Sequence, residues 1–318
     1  MPDSRLGVVV SCTDRKRLPA PDDLQLRSYD ADLPTRAAAW IGRLEHPATE
    51  QVRAATLYKG EHWKVVEELS EVATAVQHGL QLSIASAGYG LLHPDELVEP
   101  YAATFATREI DSVTRREGSN EPASDARYWW HRLADRTRPP GLPATLTELA
   151  EQDPDAPLVV ALSGAYVRAV ADDLVSAADA LKDRGRLFLV SGGTSDTRLD
   201  PFRVPLDARF QGALGGTMLS LNVRVTRHLI ERTHDHGWDR GIVHRLLDAE
   251  LRALPDRIRY DRASLSDEQV ISFIEENLES HAAPSRSTLL RRLRDENLAC
   301  EQKRFGRLYE TVLEGAQS

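Results

Sequence analysis

Four short apolar runs, each ending in small or polar residues, restrict most strongly how this chain can fold. The runs are Leu6-Gly7-Val8-Val9-Val10, Leu82-Ser83-Ile84-Ala85, Leu158-Val159-Val160-Ala161-Leu162 and Leu187-Phe188-Leu189-Val190. They are apolar almost throughout instead of alternating, as in parallel strands that are covered on both faces. Segments with apolar residues at helical spacing separate them. We therefore predict an α/β fold with a central, mostly parallel four-stranded sheet flanked by helices.

The pattern along the chain predicts two domains. The 318 residues are enough for one large and one small domain. Residues 1–240 carry the strand and helix alternation, interrupted at about 107–146 by a charged, proline-rich excursion that contains Tyr128-Trp129-Trp130-His131. We expect this excursion to form one helix and a wall of the site. From about residue 260 to 318 the pattern is helical alone, and it predicts three helices at Asp267–Leu278, with Ser266 as the N-cap, Thr288–Arg294 and Glu301–Leu313. Three short helices with a tight polar turn favour a small all-helical, helix-turn-helix-like module.

Composition excludes several classes of protein. No apolar run approaches the roughly 18 residues that a membrane span needs, so we predict no membrane partner. Only two cysteines, Cys12 and Cys300, occur, which disfavours a disulfide framework or a zinc cluster and favours a cytoplasmic location. The chain has neither a P-loop nor a dinucleotide fingerprint after the first run. We predict no cofactor and no metal, and we make no prediction of oligomeric state.

Basic residues cluster within the C-terminal module, although the net charge of the chain is -9. Between residues 286 and 307 there are seven basic residues and three acidic ones. Arginine and lysine at helix starts and faces are the usual contacts to DNA phosphates. A solvated helical cap with scattered arginines is the alternative interpretation. The residues predicted to bind DNA here are Arg286, Arg291, Arg292, Arg294, Lys303, Arg304 and Arg307.

The loop after the first run contains a carboxylate beside basic residues. Asp14 could position or polarise a water molecule, and Lys16 and Arg17 could meet a phosphate. Cys12, next to these basic residues, is either a thiolate nucleophile or, as we favour, a buried structural cysteine. Cys12 and Thr13 are both expected to bind the base.

Aromatic and small residues near the second run predict a site for a planar ligand. Gly88 and Gly90 surround Tyr89, which would let the backbone approach a ligand while the tyrosine ring stays exposed for stacking. A tight turn with core aromatics is the alternative. The other expected base-binding residues are Tyr58, Ser86 and Tyr101, and nearby acidic residues are Asp95 and Glu96. After the fourth run, Ser191-Gly192-Gly193-Thr194-Ser195 could form an anion-binding loop.

These strand endings resemble the uracil-DNA-glycosylase superfamily in order and character. In that superfamily an acidic residue after the first strand activates water, and Asp14 fits this position. Leu162-Ser163-Gly164-Ala165-Tyr166 resembles the phrase that ends the third strand, which implies that Ser163 and Gly164 bind the base. The loop at residues 191–195 occupies the place of the DNA-wedging loop. Because Gly-Gln-Asp-Pro-Tyr and His-Pro-Ser are absent, Asp95, Glu96 and Asp196 stay alternatives for the carboxylate.

A second resemblance is more specific and covers about residues 6–230. Ser11-Cys12 with Lys16, Leu57-Tyr58-x-Gly60, Ser86-Ala87-Gly88-Tyr89-Gly90-Leu91-Leu92 and Pro100-Tyr101-x-x-Thr104 are similar to an uncharacterised bacterial domain. That domain is akin to the glycosylase-like part of archaeosine synthase and to proteins of phage-defence loci. The resemblance implies a DNA glycosylase that excises a modified base, such as glucosylated hydroxymethylcytosine, from double-stranded phage DNA.

Two other functions remain open at this stage. The first is a base-exchange or tRNA- or DNA-modifying enzyme of deazaguanine chemistry. The second is a non-enzymatic DNA-binding regulator whose α/β domain senses a nucleoside-like ligand. An Asp14→Asn change should leave a regulator intact and inactivate a glycosylase that uses this carboxylate.

Overall fold

The computed structural model describes residues 4–114, 121–193, 195–233, 237–256, 263–278 and 284–315. The chain divides into two compact units, Met1–Pro255 and Asp256–Ser318. Each unit has a hydrophobic core of its own. A helix beginning at Arg240 belongs to the first unit, which therefore extends beyond the predicted residue 240.

The first unit alternates strands and helices along the chain. Its strands are β1 Ser4–Ser11, β2 Val52–Arg53, β3 His78–Ser86, β4 Gly90–Leu92, β5 Leu97–Val98, β6 Leu158–Ala161 and β7 Leu187–Val190. Its α-helices are α1 Leu33–Leu44, α2 Ala54–Leu57, α3 Glu61–Ala75, α4 Pro122–Ala134, α5 Leu146–Gln152, α6 Gly164–Ala169, α7 Ala171–Ala180, α8 Phe210–Leu214, α9 Leu221–Thr233 and α10 Arg240–Ala253. Short 3₁₀ helices occupy Asp22–Leu24, Leu26–Ser28, Arg184–Arg186, Thr197–Phe202 and Met218–Ser220.

The central sheet has the strand order β4-β3-β1-β6-β7. Strands β3, β1, β6 and β7 run parallel, with Val10 of β1 opposite Ile84 of β3 and Ala161 of β6. These are the four apolar runs of the sequence, so the prediction of an α/β fold with a mostly parallel sheet is confirmed. Their side chains are fully buried in β1, where Val8, Val9 and Val10 have no exposed surface.

The prediction of four strands is wrong, because an antiparallel edge strand, β4, completes the described sheet. Ser86 pairs with Gly90 across a tight turn, and the Ser86 hydroxyl accepts hydrogen bonds from the backbone N–H groups of Gly88 and Tyr89. Gly90 has a φ of 79°, in the left-handed region that favours glycine. The glycines around Tyr89 therefore form a β-hairpin turn.

Helices cover the sheet on both sides. Helix α3 packs on β3 and on α9, and α9 in turn contacts β6 and β7. A second group includes α4, which packs on β4, α1 and α6, and the pair α5 and α7. This enclosure explains why the parallel strands are apolar along their whole length.

The excursion at 107–146 contains the single predicted helix in its described part, α4. Residues 115–120 lie outside the described residues. Trp129 and Trp130 of α4 are buried, and their indole N–H groups donate to the carbonyl of Ala87 and the carboxylate of Asp173. The aromatic cluster therefore anchors the excursion behind the hairpin turn.

The second unit contains the three predicted helices, α11 Asp267–Leu278, α12 Arg286–Asp295 and α13 Gln302–Gly315. Their core consists of Val270, Ile274, Leu289, Leu290, Leu293, Cys300 and Phe305. A small parallel pair of strands, β8 Ala263–Ser264 and β9 Leu298–Ala299, joins the start of the unit to the turn between α12 and α13. The prediction of an all-helical module is therefore corrected by these two short strands.

Candidate functional site

The strand order places the candidate site beyond the carboxyl ends of β1 and β6. Strand β1 lies between β3 and β6, and the chain passes first to the β3 side and later to the β6 side. Ligands in open α/β sheets bind in the crevice where the connections diverge in this way. The loop at residues 12–17 follows β1, and Ser163-Gly164 follows β6.

A cavity of about 400 Å³ lies beside the loop after β1. This volume falls within the roughly 300–1,000 Å³ typical of small-molecule sites. Its wall includes Glu109, Ile110 and Asp111, so the excursion does contribute to the site as predicted. The remaining polar lining comes from Asp14, Lys16, Gln25, Arg27, Tyr101 and Thr104.

Backbone contacts fix the loop that carries Asp14. The Thr13 hydroxyl donates to the carbonyls of Arg15 and Lys59, at 2.8 and 3.2 Å. The Lys59 N–H donates back to the Arg15 carbonyl at 3.0 Å, and Lys16 forms an isolated β-bridge with Tyr58. These bonds hold the loop in place while the side chain of Asp14 remains exposed at the cavity.

Lys16 is an unusual amine at this site. Its Nζ donates to the carbonyl oxygens of Thr13 and Asp14, both at 3.3 Å, and lies 4.2 Å from the centre of the Tyr101 ring. Burial lowers the pKa of Lys16, while the negative charges of Asp14 and Asp111 oppose this shift. Because the pKa is lowered, a larger share of this amine is neutral near pH 7 than for an exposed lysine.

Hydroxyl and thiol groups form a buried network next to the cavity. The hydroxyl of Tyr101 lies 2.9 Å from that of Tyr58 and 2.6 Å from that of Ser86. The Cys12 thiol lies 3.0 Å from the Tyr166 hydroxyl. Burial raises the pKa values of Tyr58, Tyr101 and Tyr166, so these phenols stay protonated. Four residues predicted to bind the base are thus brought together, as a buried support for the site.

Tyr89 does not present a stacking surface, contrary to the expectation from its flanking glycines. Its side chain is 4% exposed, and its ring meets that of Tyr101 edge to face with 5.2 Å between centroids. The Tyr89 hydroxyl bonds to the backbone of Glu99. A Cβ atom at Gly88 would lie 2.4 Å from the Tyr101 ring. Gly88 therefore permits close packing of a core aromatic, and the interpretation as a tight turn with core aromatics is correct.

Asp95 and Glu96 lie away from Asp14. Strand β4 runs antiparallel to β3, so it carries the chain back toward the end of the sheet where β1 and β3 begin. Asp95 is exposed and lines a separate cavity of about 600 Å³ with Arg5 and Gly79, which belong to the first halves of β1 and β3. Glu96 is buried and pairs with Arg138 at 2.8 Å. Neither carboxylate therefore shares the cavity of Asp14, which removes both as partners of that site.

Asp196 is engaged at the start of a 3₁₀ helix. Its carboxylate accepts from the backbone N–H of Arg198 and forms an ion pair with the Arg198 side chain at 2.6 Å. Hydrogen bonds from Arg198 lower the pKa of Asp196. This carboxylate therefore caps a helix and holds an arginine.

The loops after β6 and β7 touch each other. A Cβ atom at Gly164 would lie 2.9 Å from the Gly193 carbonyl oxygen, and Gly193 has a φ of 119°. Ser163, Gly192 and Ser195 are exposed, whereas Ser191 is buried. Thr194, also predicted to contact DNA, lies outside the described residues. Arg17, on the loop after β1, is exposed and pairs with Glu67 at 3.3 Å.

Three residues of this region, Arg27, Asp111 and His62, were not predicted as site residues from the sequence. Arg27 holds Asp111 through its side chain and backbone N–H, with the closest contact at 2.8 Å. His62 Nε2 lies 3.2 Å from the carbonyl of Ser11, and burial lowers the pKa of His62. Arg27 lies in a 3₁₀ helix, Asp111 in the excursion and His62 at the start of α3, and no local sequence pattern marks them.

The second unit has a basic cavity of about 430 Å³. Arg286, Arg291 and Arg294 line it, so three of the predicted basic residues share one surface. Lys303 and Arg307 are exposed. Three of the basic residues have side-chain partners within the unit, which are Glu310 for Arg286, Asn277 for Arg292 and Asp267 for Arg304.

No protein-family model matches the sequence, and no curated protein matches it significantly. Within the described residues, none of the helices is both long and apolar enough to cross a membrane.

Proposed function

We propose that the first unit is a DNA glycosylase acting on a modified base, and that the second unit contributes affinity for duplex DNA. The observation that carries this proposal is the cavity beside the loop after β1, which combines an exposed carboxylate with a half-buried amine. The resemblance of the strand endings to glycosylases gives the reaction class. The second resemblance, to a bacterial domain akin to proteins of phage-defence loci, favours glucosylated hydroxymethylcytosine in phage DNA as the substrate.

The reaction needs a carboxylate near the sugar and a cavity for the base. Enzymes that act on a base within a duplex flip it into a pocket. As the N-glycosidic bond breaks, positive charge develops on the sugar, and a carboxylate stabilises that charge or orients the attacking water. Asp14 is exposed on the cavity wall and takes this role. Arg27 contributes N–H donors to the same wall for the departing base.

Base excision can be measured directly on defined DNA. Duplexes that carry hydroxymethylcytosine or its glucosylated form are incubated with the full chain and then treated with hot alkali, which cleaves at abasic sites. We expect cleavage at the modified position, release of the free base, and no cleavage of the same duplex with cytosine. The proposal would be contradicted if the protein bound the modified duplexes but produced abasic sites in none of them. Incorporation of an added base without an abasic product would instead select base exchange.

The second unit should contribute a salt-dependent part of DNA binding. Arg291 and Arg294 line the basic cavity. Replacing both by Ala is expected to reduce the slope of log affinity against log salt concentration by about 2, because each lost phosphate contact removes about 1. Fluorescence anisotropy over a salt series measures this slope. The matched control is Arg184→Ala with Arg232→Ala, which removes the same charge from exposed positions of the first unit. Equal slopes for both double variants would exclude this role.

A further inference from the structure

Base excision as described above gives a step to Asp14 and none to Lys16, although the amine of Lys16 lines the same cavity. Both of its hydrogen bonds go to backbone carbonyl oxygens, and its β-bridge to Tyr58 fixes the backbone beneath it. One of those carbonyls belongs to Asp14, so the amine and the carboxylate project from neighbouring positions of one pinned loop. A solvated surface lysine would have neither the bridge nor the aromatic ring of Tyr101 against its amine.

We propose that Lys16 is a nucleophile that forms a Schiff base with the abasic sugar, so that the same cavity also cleaves the DNA strand. This inference rests on the proposed function, because it assigns a second step to the product of base excision. It names the substrate of that step as the open-chain aldehyde of an abasic deoxyribose. The lowered pKa of Lys16 supports it, since only a neutral amine attacks a carbonyl carbon.

The bonds and protons of this step balance without an oxidant or a reductant. The Lys16 Nζ forms a bond to C1′ of the aldehyde. The carbonyl oxygen takes one proton from Nζ and one from solvent and leaves as water, which gives an iminium ion. Asp14 takes a proton from C2′, and the electron pair of that C–H bond forms an enamine. The enamine then expels the 3′ phosphate as the C3′–O bond breaks. Water hydrolyses the remaining imine, which frees Lys16 and leaves an unsaturated aldehyde on the cleaved strand.

The chain offers close controls for the identity of the amine. Lys59 and Lys64 are exposed and lie within the same part of the sequence, at the segment that contacts the loop and at the start of α3. Neither residue lines the cavity of Asp14. Lys59→Arg and Lys64→Arg therefore remove amines without touching the proposed nucleophile. Lys16→Arg keeps the positive charge at the cavity and removes the capacity to form an imine.

Borohydride trapping on a preformed abasic site tests the inference. The full chain is mixed with an abasic duplex and sodium borohydride, which reduces the imine to a stable amine, and the products are separated on a denaturing gel. We expect a covalent adduct with the wild type, Lys59→Arg and Lys64→Arg, and none above background with Lys16→Arg. A duplex with a tetrahydrofuran in place of the abasic sugar should give no adduct, since it lacks the aldehyde. Peptide mapping of the adduct should identify Lys16.

The outcomes separate this inference from the proposed function. No adduct with the wild type, or a full adduct with a folded Lys16→Arg variant, would overturn the role of Lys16. Because the abasic site is made beforehand, trapping does not depend on base excision. Excision without trapping would therefore leave a glycosylase that does not cleave the strand. Trapping without excision would leave an abasic-site lyase and contradict the proposed function.

Discussion

The Asp14→Asn variant is expected to lose at least about 100-fold in the rate of base excision while it folds and binds DNA as the wild type does. A positioned carboxylate that acts as a general base contributes about 10²- to 10⁴-fold to a rate. Asn keeps the shape of the side chain but cannot accept a proton or balance the charge on the sugar. The loss should appear in single-turnover kinetics with a modified duplex in the alkali-cleavage assay.

The fold should tolerate this change, because Asp14 does not hold its own loop in place. The side chain of Thr13 and the backbone of Lys59 make the fixing hydrogen bonds, and Asp14 itself is exposed. The melting temperature of Asp14→Asn should therefore match that of the wild type. This distinguishes loss of chemistry from loss of structure.

Asp95→Asn is the matched control for the identity of the carboxylate. Asp95 is also exposed, but it lies in a separate cavity with Arg5 and Gly79. We expect its excision rate to equal that of the wild type. If Asp95→Asn were inactive and Asp14→Asn active, the assignment of the carboxylate would be reversed. If both variants retained the full excision rate, neither carboxylate would be the catalytic group.

The central sheet could be predicted because burial on both faces leaves a direct mark on the sequence. Val8, Val9 and Val10 are consecutive and fully buried, which happens in a parallel strand between two helical layers. The bounds of α11 follow from its N-terminal signal and helical spacing, and the structure has the helix at the predicted Asp267–Leu278. These features depend on residues that are close together in the sequence.

The edge strand could not be predicted with the same means. Strand β4 has three residues, too few to show a period, and the glycines beside it fit a hairpin turn as well as a ligand loop. The choice between a hairpin turn and a ligand loop affects the site. In the hairpin, the chain reverses and carries Asp95 and Glu96 toward the end of the sheet where β1 and β3 begin. The sequence alone predicts that both lie near the end of the second run.

The cavity itself depends on contacts between distant parts of the chain. Asp14 and Lys16 could be identified because they follow a strand directly, at the edge where α/β sheets bind ligands. Asp111 could not, since it reaches the cavity through an excursion and is held there by Arg27, 84 residues earlier. The hydroxyl network is a long-range arrangement too, for Cys12 and Tyr166 lie 154 residues apart.

The largest loss of stability is expected from replacing Glu99 by Ala. The Glu99 side chain is 1% exposed and forms an ion pair with Arg43 of α1 at 2.7 Å. It also accepts hydrogen bonds from the backbone N–H groups of Ala48 and Thr49 and from the Thr49 hydroxyl. Removing one partner of a buried ion pair costs about 3–5 kcal/mol when the other charge is left without compensation. Because Arg43 keeps its ion pair with Asp23, we expect a loss at the lower end of this range, about 3 kcal/mol. Denaturant unfolding should show this as a lower midpoint.

The exposed ion pair between Asp179 and Arg184 provides the control. Its atoms lie 3.2 Å apart, but both side chains are more than half exposed. Asp179→Asn should change the free energy of unfolding by less than about 1 kcal/mol, because exposed pairs contribute little. A similar small change for Glu99→Ala would show that the buried carboxylate does not hold α1 to the segment after β5.

The same carboxylate should make stability depend on pH in acid. Burial by itself would raise the pKa of Glu99, but hydrogen bonds from Arg43 and Thr49 outweigh this and lower it from 4.5 to about 2. The unfolded chain therefore binds a proton at higher pH than the folded chain, and stability falls as pH decreases from about 5 toward 2. A shift of this size corresponds to about 3 kcal/mol. Because Glu99→Ala removes the group that titrates, its stability should fall less steeply than that of the wild type across this window, and parallel curves would contradict the assignment.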